Sequence, residues 1–163
     1  MRAVILAAGD GGRLGEHTLT VPKPLVPLNG RAIIDYTLDA LAAAGVTELV
    51  VVTGYRERQL RAALERRLPA SVLAHAPKSW TQEASRVSFV SNTRFRDGAS
   101  LSLRAARTYC GDAPFLLVMS DHVLTTNLLV RLVAAGDGHD PRDCFIAADF
   151  SEHTAAYVEE STK

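Results

Sequence analysis

The sequence predicts an α/β fold built on a mainly parallel sheet with helices on both faces. Short continuous apolar runs of strand length recur along the chain, as strands buried on both faces require. Amphipathic segments of helical spacing separate them, so the order is strand, helix, strand, helix. At 163 residues the chain is long enough to enclose one core, and it reads as a single domain over 1–163.

The first strand is AVILAA, Ala3 to Ala8. A long polar loop follows, and then AIIDYTLDALAAAG carries helical spacing from Ala32 to a stop at Gly45. ELVVVTG, Glu48 to Gly54, is the second strand. Tyr55 to Leu68 is an arginine- and glutamate-rich helix that Pro69 is expected to stop. Ala70 to Arg86, with Pro77 and Trp80, reads as irregular. RVSFVSN is a strand, SLSLRAARTY a helix, PFLLVMSDH a strand, TNLLVRLVAAG a helix, and CFIAADF (Cys144 to Phe150) a fifth strand. The closing HTAAYVEESTK begins an element without finishing it, which suggests a domain truncated at its C-terminal end.

Composition excludes several classes. Eighteen basic and eighteen acidic residues cancel, without the basic excess of a nucleic-acid binder. Cys110 and Cys144 stand apart with no metal spacing, and read as buried thiols of a reducing compartment rather than a disulfide. A strand starts the chain, with no charged leader and apolar core ahead of it, and no apolar run is long enough to span a bilayer. The expectation is a soluble cytoplasmic protein.

In a parallel sheet of this kind, ligands gather at the carboxyl ends of the strands. Two loops stand out there: LAAGDGGRLGEHTLTVPKPL, Leu6 to Leu25, and the Ser120-Asp121-His122 turn. A P-loop requires GxxxxGK[ST], but Lys23 lies between Pro22 and Pro24 with no hydroxyl after it. A dinucleotide fingerprint requires GxGxxG, and its third glycine falls on Leu14. What remains is a loop that wraps its ligand. Gly9, Gly11 and Gly12 let backbone N–H groups approach phosphate oxygens. Arg13 offers a planar charged fork, and Lys23 a compact charge in a stiff Pro-Lys-Pro frame. The competing reading is a solvated surface turn.

LAAGxGxRL, a threonine a few residues on, and then PKPLxPLxG resemble the signature of nucleotidyltransferases that join phosphorylated sugars, polyols and choline to nucleoside triphosphates. The match is dense from Leu6 to Gly30, and the following helix and strand, up to Tyr55, are similar as well. The resemblance implies a three-layer, Rossmann-like nucleotidyltransferase fold, Mg²⁺, and a triphosphate held over Leu6, Ala7, Ala8, Gly9, Gly11 and Gly12. Arg13 then contacts the leaving pyrophosphate and Lys23 the α-phosphate under attack, which suits a reaction catalysed by positioning and charge neutralisation.

Asp121 matches the family's metal-binding aspartate; otherwise it only caps the helix beginning near Thr125. His122 orients an acceptor group or caps the turn. SNTRFRDGASLSLRAAR also resembles a family segment, in which Asn92, Gly98 and Ser100 face the nucleotide and Ser102 the acceptor. Ala99 replaces the amide often found beside that glycine, and Ser100 could instead be a helix N-cap. Arg94 and Arg96 meet the acceptor phosphate or are solvated. The family's second metal-binding carboxylate has only Asp149 as a late candidate. Ser-Asp-His after LLVM is most similar to CTP:inositol-1-phosphate cytidylyltransferases, which implies CTP, a phosphorylated polyol and a link to phospholipid synthesis. Choline phosphate or a sugar 1-phosphate is the alternative acceptor, and a non-catalytic regulatory domain is the alternative class. A longer polypeptide could carry a lipid-synthesising domain, and an oligomer is open.

Overall fold

A computed structural model of the chain describes residues 1–75, 86–140 and 143–147. Four strands, β1 (Arg2–Ala7), β4 (Glu48–Thr53), β5 (Arg86–Ser91) and β6 (Phe115–Met119), form one parallel sheet in the order β5-β4-β1-β6. Two short strands, β2 (Pro27–Leu28) and β3 (Arg31–Ala32), form a separate antiparallel hairpin. Asn29 and Gly30 between them both have positive φ, at 50° and 79°, as a two-residue type I′ turn demands.

The helices are α1 (Ile33–Ala43), α2 (Glu57–His75), α3 (Ala99–Cys110) and α4 (Thr126–Gly136). Alternate residues of β1 enter opposite cores. Ala3, Ile5 and Ala7 pack with Leu38 and Leu41 of α1, Leu60 and Leu64 of α2 and Leu129 of α4. Val4, Leu6 and Ala8 pack with Ala106 and Cys110 of α3. The sheet is therefore the middle of three layers, and the continuous apolar runs of β1 and β4 are explained by burial on both faces, whereas β6 leaves Phe115 and Leu117 exposed.

Helix α1 begins with the Asp35 carboxylate accepting the Ala32 N–H at 3.1 Å. It ends in a Schellman turn: Gly45, at φ 80°, donates to Ala42 O, and Val46 donates to Leu41 O. Helix α2 differs from the sequence expectation because it passes through Pro69 and ends at His75. A proline removes one N–H and crowds one turn, and the Ala-Ser-Val-Leu-Ala run behind it carries the helix on. Pro77 and Trp80 lie outside the described residues.

The expected fifth strand is not formed where it is described. Residues 143–147 have no regular structure and Ile146 is 83% exposed. Cys144 is consequently exposed, not buried, while Cys110 is buried as expected; both thiols are free. Asp149 lies outside the described residues. Among the described residues no helix is long and apolar enough to cross a membrane.

Candidate active site

Strand β1 is flanked by β4 on one side and β6 on the other, and the strand order reverses between β1 and β6. That reversal opens a crevice at the carboxyl edge of the sheet. The loops leaving β1 and β6 are the two singled out by the sequence, and both emerge there.

The first loop is closed by its own small residues. Gly11 has φ 70°, and a Cβ there would stand 2.9 Å from both Lys23 Cβ and Thr18 Cγ2. Only glycine fits that approach. Asp10 Oδ1 accepts the Gly12 N–H at 3.3 Å. Residues Gly12–Thr18 run in 3-10 turns, broken at Gly15 (φ 54°). Buried Thr18 shares its hydroxyl proton between Gly11 O at 3.2 Å and Gly15 O at 3.1 Å. Pro22 is extended, and Lys23–Leu25 form a single 3-10 turn with Pro24 buried. Lys23 thus lies in a 3-10 turn between an extended Pro22 and a buried Pro24.

Lys23 Nζ and Asp121 Oδ2 meet in a short ion pair across the crevice, although 98 residues separate them. Burial pushes the Asp121 carboxyl upward. The hydrogen bond and charge of Lys23, with a smaller pull from His122, outweigh it and hold the group below its ordinary value. The carboxylate is therefore ionised at neutral pH. It does not cap α4, because Thr125 is the N-cap and its side chain accepts the Leu128 N–H at 3.3 Å. The capping explanation of Asp121 is thereby removed.

The other candidate residues fall into three groups. Leu6, Ala7 and Ala8 are buried in the sheet; Leu6 O accepts the Ser120 N–H at 3.1 Å and Ala8 O the Tyr55 N–H at 2.8 Å. Their side chains belong to the core, so only backbone could face a ligand. Gly9, Gly12 and Arg13 are exposed on the loop, and Arg13 has no ion-pair partner among the described residues. Asn92 and Ser102 are buried together: the Asn92 amide donates to Ser102 Oγ at 2.9 Å, and Asn92 Oδ1 accepts the Arg94 N–H at 2.9 Å.

Gly98, at φ 116°, is itself the N-cap of α3, so Ser100 is an exposed residue of the first turn and not the cap. Arg94 pairs with Asp97 at 2.8 Å and Arg96 with Asp10 of the first loop at 3.5 Å. The His122 side chain is exposed, while its carbonyl accepts from buried Thr37 of α1 at 2.9 Å and so ties the β6 turn to the helix layer. The sequence marked a threonine in this loop without giving it a role, and it gave no role to Gly54. A Cβ on Gly54 would lie 2.8 Å from Ala8 O, 2.9 Å from Asn92 O and 2.9 Å from Phe95 Cδ1. The available signal was a Gly-Tyr pair closing an apolar strand.

The donor chemistry suits one hard cation. An ionised carboxylate at a strand end can hold Mg²⁺, which takes one or two carboxylates and completes its shell with water and phosphate oxygens. Among the described residues no cluster of three metal-ligating side chains occurs, so substrate oxygens would supply much of the shell.

A family model for the MobA-like NTP transferase domain matches residues 3–160. The chain is 30% identical over 164 residues to the 2-aminoethylphosphonate cytidylyltransferase of Lancefieldella rimae, covering 96% of this chain and 54% of that protein. It is 47% identical over 66 residues to the mannose-1-phosphate guanyltransferase of Aspergillus fumigatus, covering 40% of this chain and 18% of that one. The chain thus spans about half the length, or less, of these relatives. The crystal structure of UDP-glucose pyrophosphorylase with UDP-glucose shares the fold, with a TM-score of 0.65 over 83% of this chain and 52% of that one at 21% identity.

Proposed function

The chain belongs to the MobA-like NTP transferase domain family, and on that premise we propose that it transfers a cytidylyl group from CTP to the phosphate or phosphonate of a small acceptor. An acceptor oxygen attacks the α-phosphorus as the bond to the β-phosphate oxygen breaks, and pyrophosphate leaves with that electron pair. The observation that carries the reading is the Lys23–Asp121 pair at the switch point between β1 and β6. A scaffold gains little from holding two opposite charges, part-exposed, at a ligand crevice.

Lys23 provides the charge that neutralises the pentacovalent α-phosphate, while the proline frame holds its backbone in place. Arg13, exposed and free of an internal partner among the described residues, takes the β- and γ-phosphate oxygens that become pyrophosphate. Asp121 would hold Mg²⁺, which when bound would offset the charge of the triphosphate. The glycines admit the phosphates close to the backbone.

The acceptor class follows the relative aligned along nearly the whole chain, which favours a small aminoalkylphosphonate. Inositol 1-phosphate, implied by Ser120-Asp121-His122, is the second reading. Pyrophosphate release is measured with CTP, GTP, UTP and ATP against 2-aminoethylphosphonate, inositol 1-phosphate, phosphocholine and mannose 1-phosphate. Release with CTP and the phosphonate is expected. Release with another pair alone overturns the acceptor or base, and no release from any pair sinks the reaction class.

A further inference from the structure

We propose that Tyr55 and Arg56, on the corner after β4, are positioning residues that clamp both ends of the first loop and so set where Arg13 and Lys23 stand. The catalytic part of this rests on the nucleotidyl-transfer reading, whereas the clamp itself rests on geometry.

The corner touches the loop where it starts and where it turns back. At the start, the Tyr55 N–H donates to Ala8 O at 2.8 Å. At the far end, Tyr55 Oη donates to Thr18 O at 2.9 Å and Arg56 Nη2 donates to Leu19 O. Arg56 Nε donates to Tyr55 Oη at 3.0 Å, so the two side chains act as one unit. Phe95 meets the Tyr55 ring edge-on at 6.4 Å and fixes its plane. Gly54, with no space for a Cβ, brings the corner hard against Ala8 O and Asn92 O.

The backbone of Arg56 supports the assignment. Its φ is 48°, one of two positive values at non-glycine residues among the described residues. The other is Asn29, a residue that tolerates the left-handed region; arginine has no such local aid. A glycine would make the same corner without strain. Arginine at this place is explained by what its guanidinium does, which is to hold the Leu19 carbonyl.

From the clamp the effect passes inward through Thr18. Its carbonyl is gripped by Tyr55, and its hydroxyl holds Gly11 O and Gly15 O, on either side of Arg13. Gly11 in turn lies against the stem of Lys23. Neither clamp residue is hydrogen-bonded to the Lys23–Asp121 pair.

Arg56→Gly and Tyr55→Phe test the clamp, because the first keeps the corner's backbone conformation and the second keeps the ring. Amide hydrogen exchange is followed at residues 11–19 and in β1 and β4, alongside kcat and KM for CTP. Both variants should exchange about tenfold faster in the loop, with unchanged protection in the strands, and should lose about tenfold in kcat/KM. The melting temperature of Arg56→Gly should not fall with them. If loop exchange is unchanged in both variants, there is no clamp. If exchange rises while kcat and KM stay at wild-type values, the ends are held but nothing is positioned, and the proposal is equally overturned. If the wild-type protein releases no pyrophosphate from any pair while the exchange difference persists, the clamp stands and the nucleotidyl-transfer reading is what fails.

Discussion

Two polar pairs lie at the carboxyl edge of the sheet, and they are built differently. Lys23 and Asp121 carry full charges, and their side chains are 27% and 25% exposed. Asn92 and Ser102 are neutral and only 7% and 4% exposed. In the buried pair, the Asn92 oxygen is committed to the Arg94 N–H and its nitrogen to Ser102. That pair fastens the end of β5 to α3. In the part-exposed pair each charge has a second natural partner in the proposed reaction, phosphate for the lysine and a cation for the aspartate. The pair that the proposed reaction would open is left part-exposed to water, and the pair that fastens strand to helix is closed off.

The largest effect expected is on the exchangeable pair. Lys23→Ala should lower pyrophosphate release by about 10³-fold with circular dichroism unchanged and only a small fall in melting temperature, since a transition-state charge is lost together with a part-exposed ion pair but no core contact. Turnover that survives this change would return the lysine to a structural role. Asp121→Asn should cost about 10²-fold and raise the Mg²⁺ concentration needed for half-maximal rate, measured by magnesium titration.

The same variant tests the acid side of stability. Because the folded Asp121 carboxyl sits below the ordinary 3.8, the pair's contribution is complete above that value and is lost as pH falls through the lower folded one. Acid unfolding of Asp121→Asn should show that step missing.

Gly11→Ala probes the seam between loop and lysine. The left-handed backbone costs alanine about 1–2 kcal/mol, and the clash with Lys23 and Thr18 adds to it, so melting temperature and turnover should fall together. The fastened pair is tested by a double-mutant cycle. Asn92→Ala strands the buried Ser102 hydroxyl and should cost about 1–3 kcal/mol in chemical denaturation, with Ser102→Ala recovering part of that loss. Strictly additive costs would show that the two side chains do not act together. The smallest effect belongs to Arg94→Ala, whose exposed pair with Asp97 should change stability by less than about 0.5 kcal/mol.

The layer order was legible in the sequence because burial on two faces writes continuous apolar runs, and these survive in AVILAA and ELVVVTG. Lys23 and Asp121 were legible as members of two loops, since composition marks loops at strand ends. That both serve one sheet edge followed from the parallel-sheet reading, but their direct ion pair did not, because side-chain pairing between strands carries no local signal. Asn92–Ser102 stayed hidden for the same reason: a strand end and a helix face find one another only after folding. The Tyr55 and Arg56 contacts end on the carbonyls of Thr18 and Leu19, and a carbonyl is the same atom in every residue. The helix running past Pro69 shows propensity at one site overridden by the segment around it. The expected Cys144–Phe150 strand is not formed over its described part, 144–147, which shows that a short apolar run alone does not specify a strand.

The parallel ladder between β1 and β6 pairs Leu6 with Met119. From those two positions the chain is counted out on each side to Lys23 and to Asp121. The sheet thus serves as a ruler for the crevice: each residue of strand advances about 3.3 Å, so a slip of one residue would carry Asp121 out of reach of the lysine. The loop adds its own measure on the lysine side, because Gly11 and Thr18 hold it against the stem of Lys23. The separation of the two charges is thereby fixed by main-chain hydrogen bonds of the sheet, which do not depend on which side chains the strands carry.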